Sequence, residues 1–276
     1  PGRGHLPGPA VGACTPRRIG RPAGRGPEGA CRRCSGTAPA HGEPSKPTGA
    51  RPRLEASGLP LPQATPLSED DLTCLKERHL FLNEANGWDL ALRAVGAGRR
   101  CRHGWPQAVI YDPIWASGKL GDTVRLTCPL LVEAIGAYER DGAIRKLNER
   151  LEQDASLQEA LRQVNLAQRD LRRTLVEGRD KELAEARKLM GDKVVDIVME
   201  AGLAMMGVNS SDVKCLHAHV GDELTRGGNT FGREALEGLE AKGVDVLGNA
   251  ECCDHCNVQV PLEDARWSFQ GGKNKL

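Results

Sequence analysis

The sequence predicts an α+β fold that is mostly helical, with a small antiparallel hairpin or three-stranded sheet packed on the helices. Two observations indicate the sheet. Ala108–Tyr111 and Thr123–Thr127 are short runs of strand-forming residues, and a turn containing Gly104 and Pro106 precedes the first of them. A third observation indicates the helices: from residue 128 to residue 243, apolar residues recur mainly at intervals of three and four.

The first 66 of the 276 residues should not fold. They are mostly Pro, Gly, Ala and Arg and offer little apolar surface to bury, so we expect residues 1–66 to form a disordered leader. Residues 1–53 contain 10 Lys and Arg against 2 acidic residues, whereas the remainder contains 28 against 35. An Arg-rich, acid-poor leader is typical of a transit peptide, which favours the interior of a plastid or mitochondrion, with the cytoplasm as the alternative.

A single Cys- and His-rich domain is expected over residues 67–260, followed by a loose tail over residues 261–276. The domain should begin with a helix. Ser68 is followed three residues later by Asp71, which is the spacing of a capping box, and an apolar run follows.

A β-hairpin is predicted next from two extended runs, one around Val95 and one at Ala108–Tyr111, with Cys101 at its tip. A third strand at Thr123–Thr127 leads into Cys128, which precedes a proline. Because proline favours the first helical position, Cys128 should be the N-cap of a helix.

Amphipathic helices account for the rest of the domain. Apolar spacing predicts them after Cys128, around 144–151, from Ser156, after Gly191, after Lys214 and around Leu236. The helix after Gly191 should bury Val194, Ile197 and Val198, and the helix after Lys214 should bury Leu216, Val220 and Leu224.

Composition argues against two classes of partner. The folded part is mildly acidic and the chain is only 3% aromatic, so it lacks the basic footprint of a nucleic-acid-binding protein. No uninterrupted apolar run reaches membrane-spanning length, since Asp196 and Glu200 interrupt the nearest candidate. A protein partner could bind through the charged helices of residues 143–190. Phosphate-binding, zinc-protease and serine-hydrolase motifs do not occur in the sequence.

Cysteine and histidine residues carry the most informative chemistry. The chain has 10 cysteines and shows no secretory signal pattern, so we expect a reducing compartment, where clustered cysteines bind metals or react more often than they form disulfides. Lys214-Cys215-Leu216-His217-Ala218-His219 holds a thiol and two imidazoles, and Cys253 and Cys256 form a C-x-x-C unit, a spacing suited to one metal ion or cluster edge.

The helix after Lys214 limits which histidine can act with Cys215. We expect Cys215 in the first helical turn, where the helix N-terminus favours its thiolate, as it also would for Cys128. Cys215 and His219 would then be one turn apart on the same face, with His217 on the opposite flank. All three could bind one ion only if the first turn is distorted, so we expect Cys215 plus one histidine.

We interpret these groups as one metal site at which four distant segments converge. The ion would be Zn²⁺ or the site an iron–sulfur cluster, because thiolates suit both and spacing does not separate them. The predicted metal ligands are Cys101, Cys128, Cys215, His217, Cys253 and Cys256.

Two alternatives remain open from the residues alone. In the first, the protein is a non-catalytic helical scaffold or interaction protein, and its cysteines are buried core residues. In the second, it is a thiol enzyme that uses Cys128 or Cys215 as nucleophile and His217 or His219 as base.

The order of motifs resembles a known family. A Cys-x-His-Gly-x-Pro hairpin at Cys101, Leu-Thr-Cys-Pro at Cys128 and Lys-Cys-Leu-His at Cys215, followed by Gly-Gly-Asn, are similar to the uncharacterised bacterial and plastid-associated family catalogued as domain of unknown function 501. The resemblance covers about residues 99–256. It implies that Cys101, Cys128, Cys215 and His217 stand at family motif positions, which favours His217 over His219, and it implies no particular reaction.

Overall fold

The computed structural model of the protein describes Leu61 and residues 63–79, 93–115 and 118–248. These residues belong to one compact unit, 49–276. Within them the chain forms eight α-helices and one three-stranded antiparallel sheet, so the predicted α+β class is confirmed. Most of the predicted leader, the predicted tail and the Cys253 and Cys256 pair lie outside the described residues.

The sheet has the order β1-β2-β3 and consists of β1 (Ala94–Ala97), β2 (Ala108–Tyr111) and β3 (Val124–Leu126). Val109 of β2 stands opposite Ala97 of β1 and Arg125 of β3. All four residues of β2 are buried, as expected for a central strand with neighbours on both sides. The predicted hairpin and third strand are thus confirmed.

The connection from β1 to β2 is a tight hairpin tip. The amide of Cys101 donates to the carbonyl of Trp105 over 2.9 Å, and Gly104 has a φ of +88°, a conformation that glycine adopts without strain. Gln107 follows the tip, and its carbonyl accepts from the amides of Thr127 and Cys128. The hairpin therefore continues directly into the end of β3.

Helix α1 (Glu69–Glu77) begins with the predicted capping box, in which Ser68 and Asp71 each accept a hydrogen bond from the backbone amide of the other. Asp71 also forms a bidentate ion pair with Arg100, at 2.6 and 2.7 Å. Thr65 pairs with Ala97 at the edge of β1 through two hydrogen bonds of 2.8 Å. The chain that contacts the sheet therefore begins within the last residues assigned to the leader.

Seven helices follow the sheet. They are α2 (Pro129–Arg140), α3 (Ala143–Leu151), α4 (Ala155–Val176), α5 (Asp180–Met190), α6 (Asp192–Glu200), α7 (Leu216–Thr225) and α8 (Thr230–Ala241). A short 3-10 turn at Leu203–Met205 joins α6 to the segment before α7. None of the described helices combines the length and the apolar character needed to cross a membrane.

Helix α7 lies at the centre of the fold and packs against β2, β3 and α8. Its buried stripe consists of Leu216, Val220 and Leu224, as predicted. Gly221 allows close contact with β3, because a Cβ atom at this position would stand 3.0 Å from the amide nitrogen of Leu126. A larger residue here would push α7 away from the sheet.

A buried polar network surrounds Asp222, which lies in the middle of α7 and is fully buried. Its carboxylate accepts hydrogen bonds from Gln168 of α4, from Nε and Nη2 of Arg226 at 2.9 and 2.6 Å, and from Asn229 at 2.8 Å. Asn229 is also the N-cap of α8, where its side-chain oxygen accepts from the amide of Gly232 over 3.1 Å. The network thus joins α4, α7 and α8.

One predicted core face is wrong in part. In α6, Val194 and Ile197 are 43% and 59% exposed, whereas Val198 is partly buried and packs against a cluster that contains Val176 and Ala186. Val195, which was not predicted to face the core, is buried in this cluster. Apolar residues lie on both flanks of α6, so their spacing alone did not identify the flank that faces the core.

Replacing Asp222 with Asn should destabilise the protein strongly. The change leaves the Arg226 guanidinium without its anion and turns an amide group toward donors in a buried site, for which a loss of about 3–5 kcal/mol in the free energy of unfolding is expected. Urea denaturation measures this loss. The control is Asp170→Asn on exposed helix surface, expected to change stability by less than about 0.5 kcal/mol.

Candidate metal centre

Cys215 is the N-cap of α7 and not part of its first turn. Its backbone is extended, with φ −154° and ψ +115°, and the helix begins at Leu216. The expectation that Cys215 lies in the first turn is therefore wrong. Because the side chain of an extended residue does not follow helical spacing, the one-turn relation between Cys215 and His219 does not apply.

His219 belongs to the polar core. It is buried, its Nδ1 lies 3.2 Å from the side-chain oxygen of Asn229, and its ring packs edge-on against Phe231 with 5.3 Å between centroids. Burial lowers the pKa of His219, so its imidazole is neutral in the folded protein near pH 7. This placement agrees with the family resemblance, which favours His217.

Three side chains from two helices meet at the N-terminus of α7. Nδ1 of His217 lies 3.2 Å from Oε1 of Glu139 and 3.8 Å from Sγ of Cys215. One ligand atom from each residue lies within 4.8 Å of one from each of the others, and all three residues are partly buried. We call Glu139, Cys215 and His217 the trio. Among the described residues it is the one group of three or more such side chains that is close enough to hold a single ion.

His217 is positively charged in this arrangement. Its Nε2 lies 3.0 Å from the carbonyl oxygen of Val132, and its Nδ1 faces the Glu139 carboxylate. Because both of these oxygens can only accept, both ring nitrogens carry a proton. Burial alone would lower the pKa of His217, but the hydrogen bonds to Cys215 and Glu139 raise it to about 10.

Glu139 also caps α7 from a neighbouring helix. The amide of Leu216 donates to Oε1 of Glu139 over 2.6 Å, and Cys215 makes no side-chain capping bond of its own. Burial opposes ionisation of Glu139, but hydrogen bonds from His217 and from backbone amides hold its pKa below the ordinary value. A carboxylate at a helix N-terminus is stabilised in the same way as an N-cap side chain.

Glu139 was not among the residues that the sequence indicated. Glu139 lies on the face of α2 that contacts the imidazole, together with Gly136 one turn earlier and Val132 two turns earlier. A Cβ atom at Gly136 would stand 3.9 Å from Nε2 of His217. This is an ordinary van der Waals distance, so the contact does not require glycine, and no local pattern in the sequence indicated Glu139.

The two distances from His217 to the other members of the trio fit a tetrahedral zinc ion. Zn–S bonds of about 2.3 Å and Zn–N or Zn–O bonds of about 2.0–2.2 Å put sulfur and nitrogen ligands roughly 3.6 Å apart, and nitrogen and oxygen ligands roughly 3.4 Å apart. The observed separations from His217 Nδ1 are 3.8 Å to Cys215 and 3.2 Å to Glu139. The Nε2 hydrogen bond to the Val132 carbonyl would orient a metal-bound ring, as outer partners of histidine ligands commonly do.

The other predicted ligands lie in different places. Cys101 is buried at the hairpin tip, and Cys128 is buried at the N-cap of α2, as predicted. Neither belongs to the trio. Cys253 and Cys256 lie outside the described residues, so the convergence of four segments on one ion stays a prediction.

The structure adds a buried pair that the sequence did not indicate. Sγ of Cys74 lies 3.5 Å from Nε2 of His79, and both residues are buried. Burial raises the pKa of Cys74 to about 12 and lowers the pKa of His79 to about 4, so both groups are neutral near pH 7. A spacing of five residues between Cys and His is not a recognised ligand motif, so the sequence alone did not indicate this pair.

Comparison with known protein families gives a match that covers the central part of the chain. A family described as "Protein of unknown function (DUF501)" matches residues 97–237, just over half of the 276 residues. The match covers Cys101, Cys128 and the whole trio, and it confirms the resemblance indicated by the motifs. No curated protein and no solved structure is significantly similar to the chain.

Raising the pH should destabilise the metal-free protein through His217. Its folded pKa of about 10 lies above the ordinary value of 6.5. The imidazolium therefore contributes its full stabilisation below about pH 6.5 and loses it as the pH rises toward 10. We expect the free energy of unfolding, measured by urea denaturation with a chelator present, to fall over this range by at most about 1.4 kcal/mol per pH unit from this group.

Two variants of α2 separate this effect from other groups that titrate in the same range. Glu139→Gln removes the anion that holds the proton on His217, so the fall in stability should become shallower. Glu133→Gln, on an exposed position of the same helix, should leave it unchanged. Equal slopes for Glu139→Gln and the wild type would contradict the assignment.

Proposed function

The chain belongs to the DUF501 family, whose function is unknown, and we propose that it is a metal-binding protein in which Glu139, Cys215 and His217 hold one Zn²⁺ ion. The observation that carries the proposal is the convergence of a thiol, an imidazole and a carboxylate within 4.8 Å of one another. Sulfur, nitrogen and oxygen donors together suit zinc among the common biological metals.

The three donor atoms also indicate whether the site suits an iron–sulfur cluster or a single zinc ion. One thiolate among three ligands is a poor match for an iron–sulfur cluster, which is held mainly by cysteines. Three protein ligands leave a tetrahedral ion one further position, as in zinc sites that bind water or a substrate. Cys253 and Cys256 remain candidates for that position. If neither occupies it, the site is open and could activate a bound water.

Metal binding must displace the proton on Nδ1 of His217, so binding and protonation compete at this nitrogen. A Zn²⁺ ion bound by the Cys215 thiolate replaces two protons, one on Nδ1 of His217 and one on the thiol. The net charge of the trio is then the same with and without the metal.

Replacing Cys215 with Ser should remove one equivalent of bound metal. In metal-stripped protein titrated with Co²⁺ in place of Zn²⁺, we expect Cys215→Ser and His217→Gln to weaken binding at this site by more than roughly 100-fold, beyond the 10–100-fold typical of changes around the ligands. Visible and near-ultraviolet absorption of the bound Co²⁺ measures both occupancy and sulfur ligation.

The matched control is Glu133→Gln beside Glu139→Gln, because both change one carboxylate on α2 and Glu133 is exposed. Only Glu139→Gln should weaken binding. If Cys215→Ser binds the same number of Co²⁺ ions with the same absorption as the wild type, the trio does not hold the metal.

A second candidate function is thiol chemistry at Cys215. The specific observation in its favour is that Nδ1 of His217 lies 3.8 Å from Sγ of Cys215, since thiol enzymes pair a cysteine with a histidine in this way. Cys215 is also the least buried of the described cysteines. In that case Cys215 in metal-stripped protein should react with iodoacetamide much faster than the other cysteines, and added Zn²⁺ should not change its rate. Protection of Cys215 by one equivalent of Zn²⁺ favours the metal site.

The charged helices of residues 143–190 carry a third possibility, a protein interaction surface. Several of their charges are neutralised within a single helix, for example by the pairs Arg145 with Glu149 and Arg162 with Glu159. Such exposed pairs are typical of a solvated helix surface. Binding through these helices stays a prediction from the sequence.

A further inference from the structure

We propose a second metal site, separate from the trio, in which Cys74, His79, Cys101 and Cys128 bind one Zn²⁺ ion. We call these four residues the thiol cluster. All four are buried, and they come from three parts of the chain: the end of α1, the hairpin tip and the N-cap of α2. Three cysteines and one histidine form an established ligand set of structural zinc sites.

The packing of α1 directs Cys74 toward the hairpin. Asp71, Cys74 and Arg78 are spaced by three and four residues, so they lie on one face of the helix. Asp71 forms its ion pair with Arg100, and the guanidinium of Arg78 stacks over the ring of Trp105 at 5.4 Å. Because the residues on either side of Cys74 on this face contact the hairpin tip, Cys74 faces the tip as well.

The hairpin tip brings backbone amides close to the side chain of Cys101. Burial raises the pKa of its thiol, and the amides of His103, Trp105 and Gly104 act in the opposite direction. Hydrogen bonds from such amides stabilise the negative charge of a cysteine sulfur once it binds a metal.

Cys128 reaches the same region through the sheet. Its amide donates to the carbonyl of Gln107 over 3.0 Å, and the amide of Gln107 donates to the carbonyl of Arg99 over 2.9 Å. These bonds place the start of α2 beside the base of the hairpin. Both Cys101 and Cys128 lie near enough to Cys74 to act on it electrostatically.

His79 is the member of the cluster already beside a sulfur. Its Nε2 lies 3.5 Å from Sγ of Cys74, so Nε2 is the nitrogen placed to bind the ion. Its Nδ1 is buried and has no hydrogen-bond partner among the described residues. A neutral imidazole that binds a metal through Nε2 keeps its proton on Nδ1.

Basic side chains balance the charge that such a site would carry. Three thiolates and one Zn²⁺ ion leave a net charge of −1. Arg78 acts electrostatically on Cys74, Arg100 on Cys101 and Arg99 on Cys128. Burial raises the pKa of the Cys74 and Cys101 thiols, and these guanidinium groups act against that effect when the ion binds.

The four donors are not yet in bonding position. They do not form a group with mutual distances within 4.8 Å, as the trio does. At least one cysteine side chain must therefore turn toward the others when the ion binds. This distinguishes the two sites, since the trio is already arranged for binding and the thiol cluster requires closure.

The test uses the full chain with Cys215, Cys253 and Cys256 replaced by Ser, which removes the sulfur of the trio and the C-x-x-C unit. Protein purified under argon is stripped with a chelator and titrated with Co²⁺. We expect one equivalent to bind with strong thiolate-to-cobalt absorption, and one equivalent of Zn²⁺ to displace it. Further replacement of Cys74 by Ser or of His79 by Asn should weaken Co²⁺ binding by more than roughly 100-fold.

Replacement of Cys31 and Cys34 in the same background is the matched control and should change nothing. X-ray absorption of Zn²⁺ bound to the background protein, with about three sulfur ligands and one nitrogen ligand expected, decides the question even if Cys74→Ser does not fold. The proposal is overturned if the background protein binds no Co²⁺ or Zn²⁺ tightly, if zinc has one sulfur ligand or none, or if loss of Cys31 and Cys34 abolishes binding.

Discussion

Burial of the Asp222 carboxylate in the central helix is the constraint on which the rest of the domain depends. A charge taken out of water costs several kcal/mol unless hydrogen bonds and a counter-charge compensate it. The donors come from Gln168, Arg226 and Asn229, so α4, α7 and the start of α8 can take only one mutual arrangement. Once the middle of α7 is held in this way, its N-terminus has a definite position against α2, where Glu139 is located. The geometry of the trio is in this sense a consequence of the polar core.

The N-terminus of α7 is capped by a side chain from another helix. An N-cap side chain normally accepts a hydrogen bond from the first turn of its own helix. At α7 the carboxylate of Glu139 accepts the amide of Leu216 instead, and Cys215 makes no capping bond. The thiol of Cys215 is therefore not used to cap the helix and can bind an ion or react. His217 connects the capping of α7 with the thiol. The Val132 carbonyl orients its ring, and its Nδ1 contacts Glu139, the same carboxylate that caps α7.

Local interactions made much of the fold predictable, and distant ones account for what was not. The capping box at Ser68, the hairpin and the N-cap at Cys128 depend on neighbours within a few residues, which the sequence displays directly. Glu139 contacts a helix that begins 77 residues later, and no local pattern indicates such a partner. The error at Cys215 was of another kind: the boundary of α7 lay one residue further on, and one residue is enough to change which histidine the thiol can meet.

Helix α2 also explains why the single site expected from the sequence becomes two sites in our proposals. Cys128 caps its N-terminus and Glu139 lies in its last turn. Eleven residues at about 1.5 Å each put their backbones roughly 16 Å apart along the axis. The two side chains and two metal–ligand bonds of about 2.0–2.3 Å do not span that distance. If Glu139 and His217 bind one ion, Cys128 must act elsewhere, and our second proposal assigns it to the thiol cluster with the buried residues Cys74, His79 and Cys101.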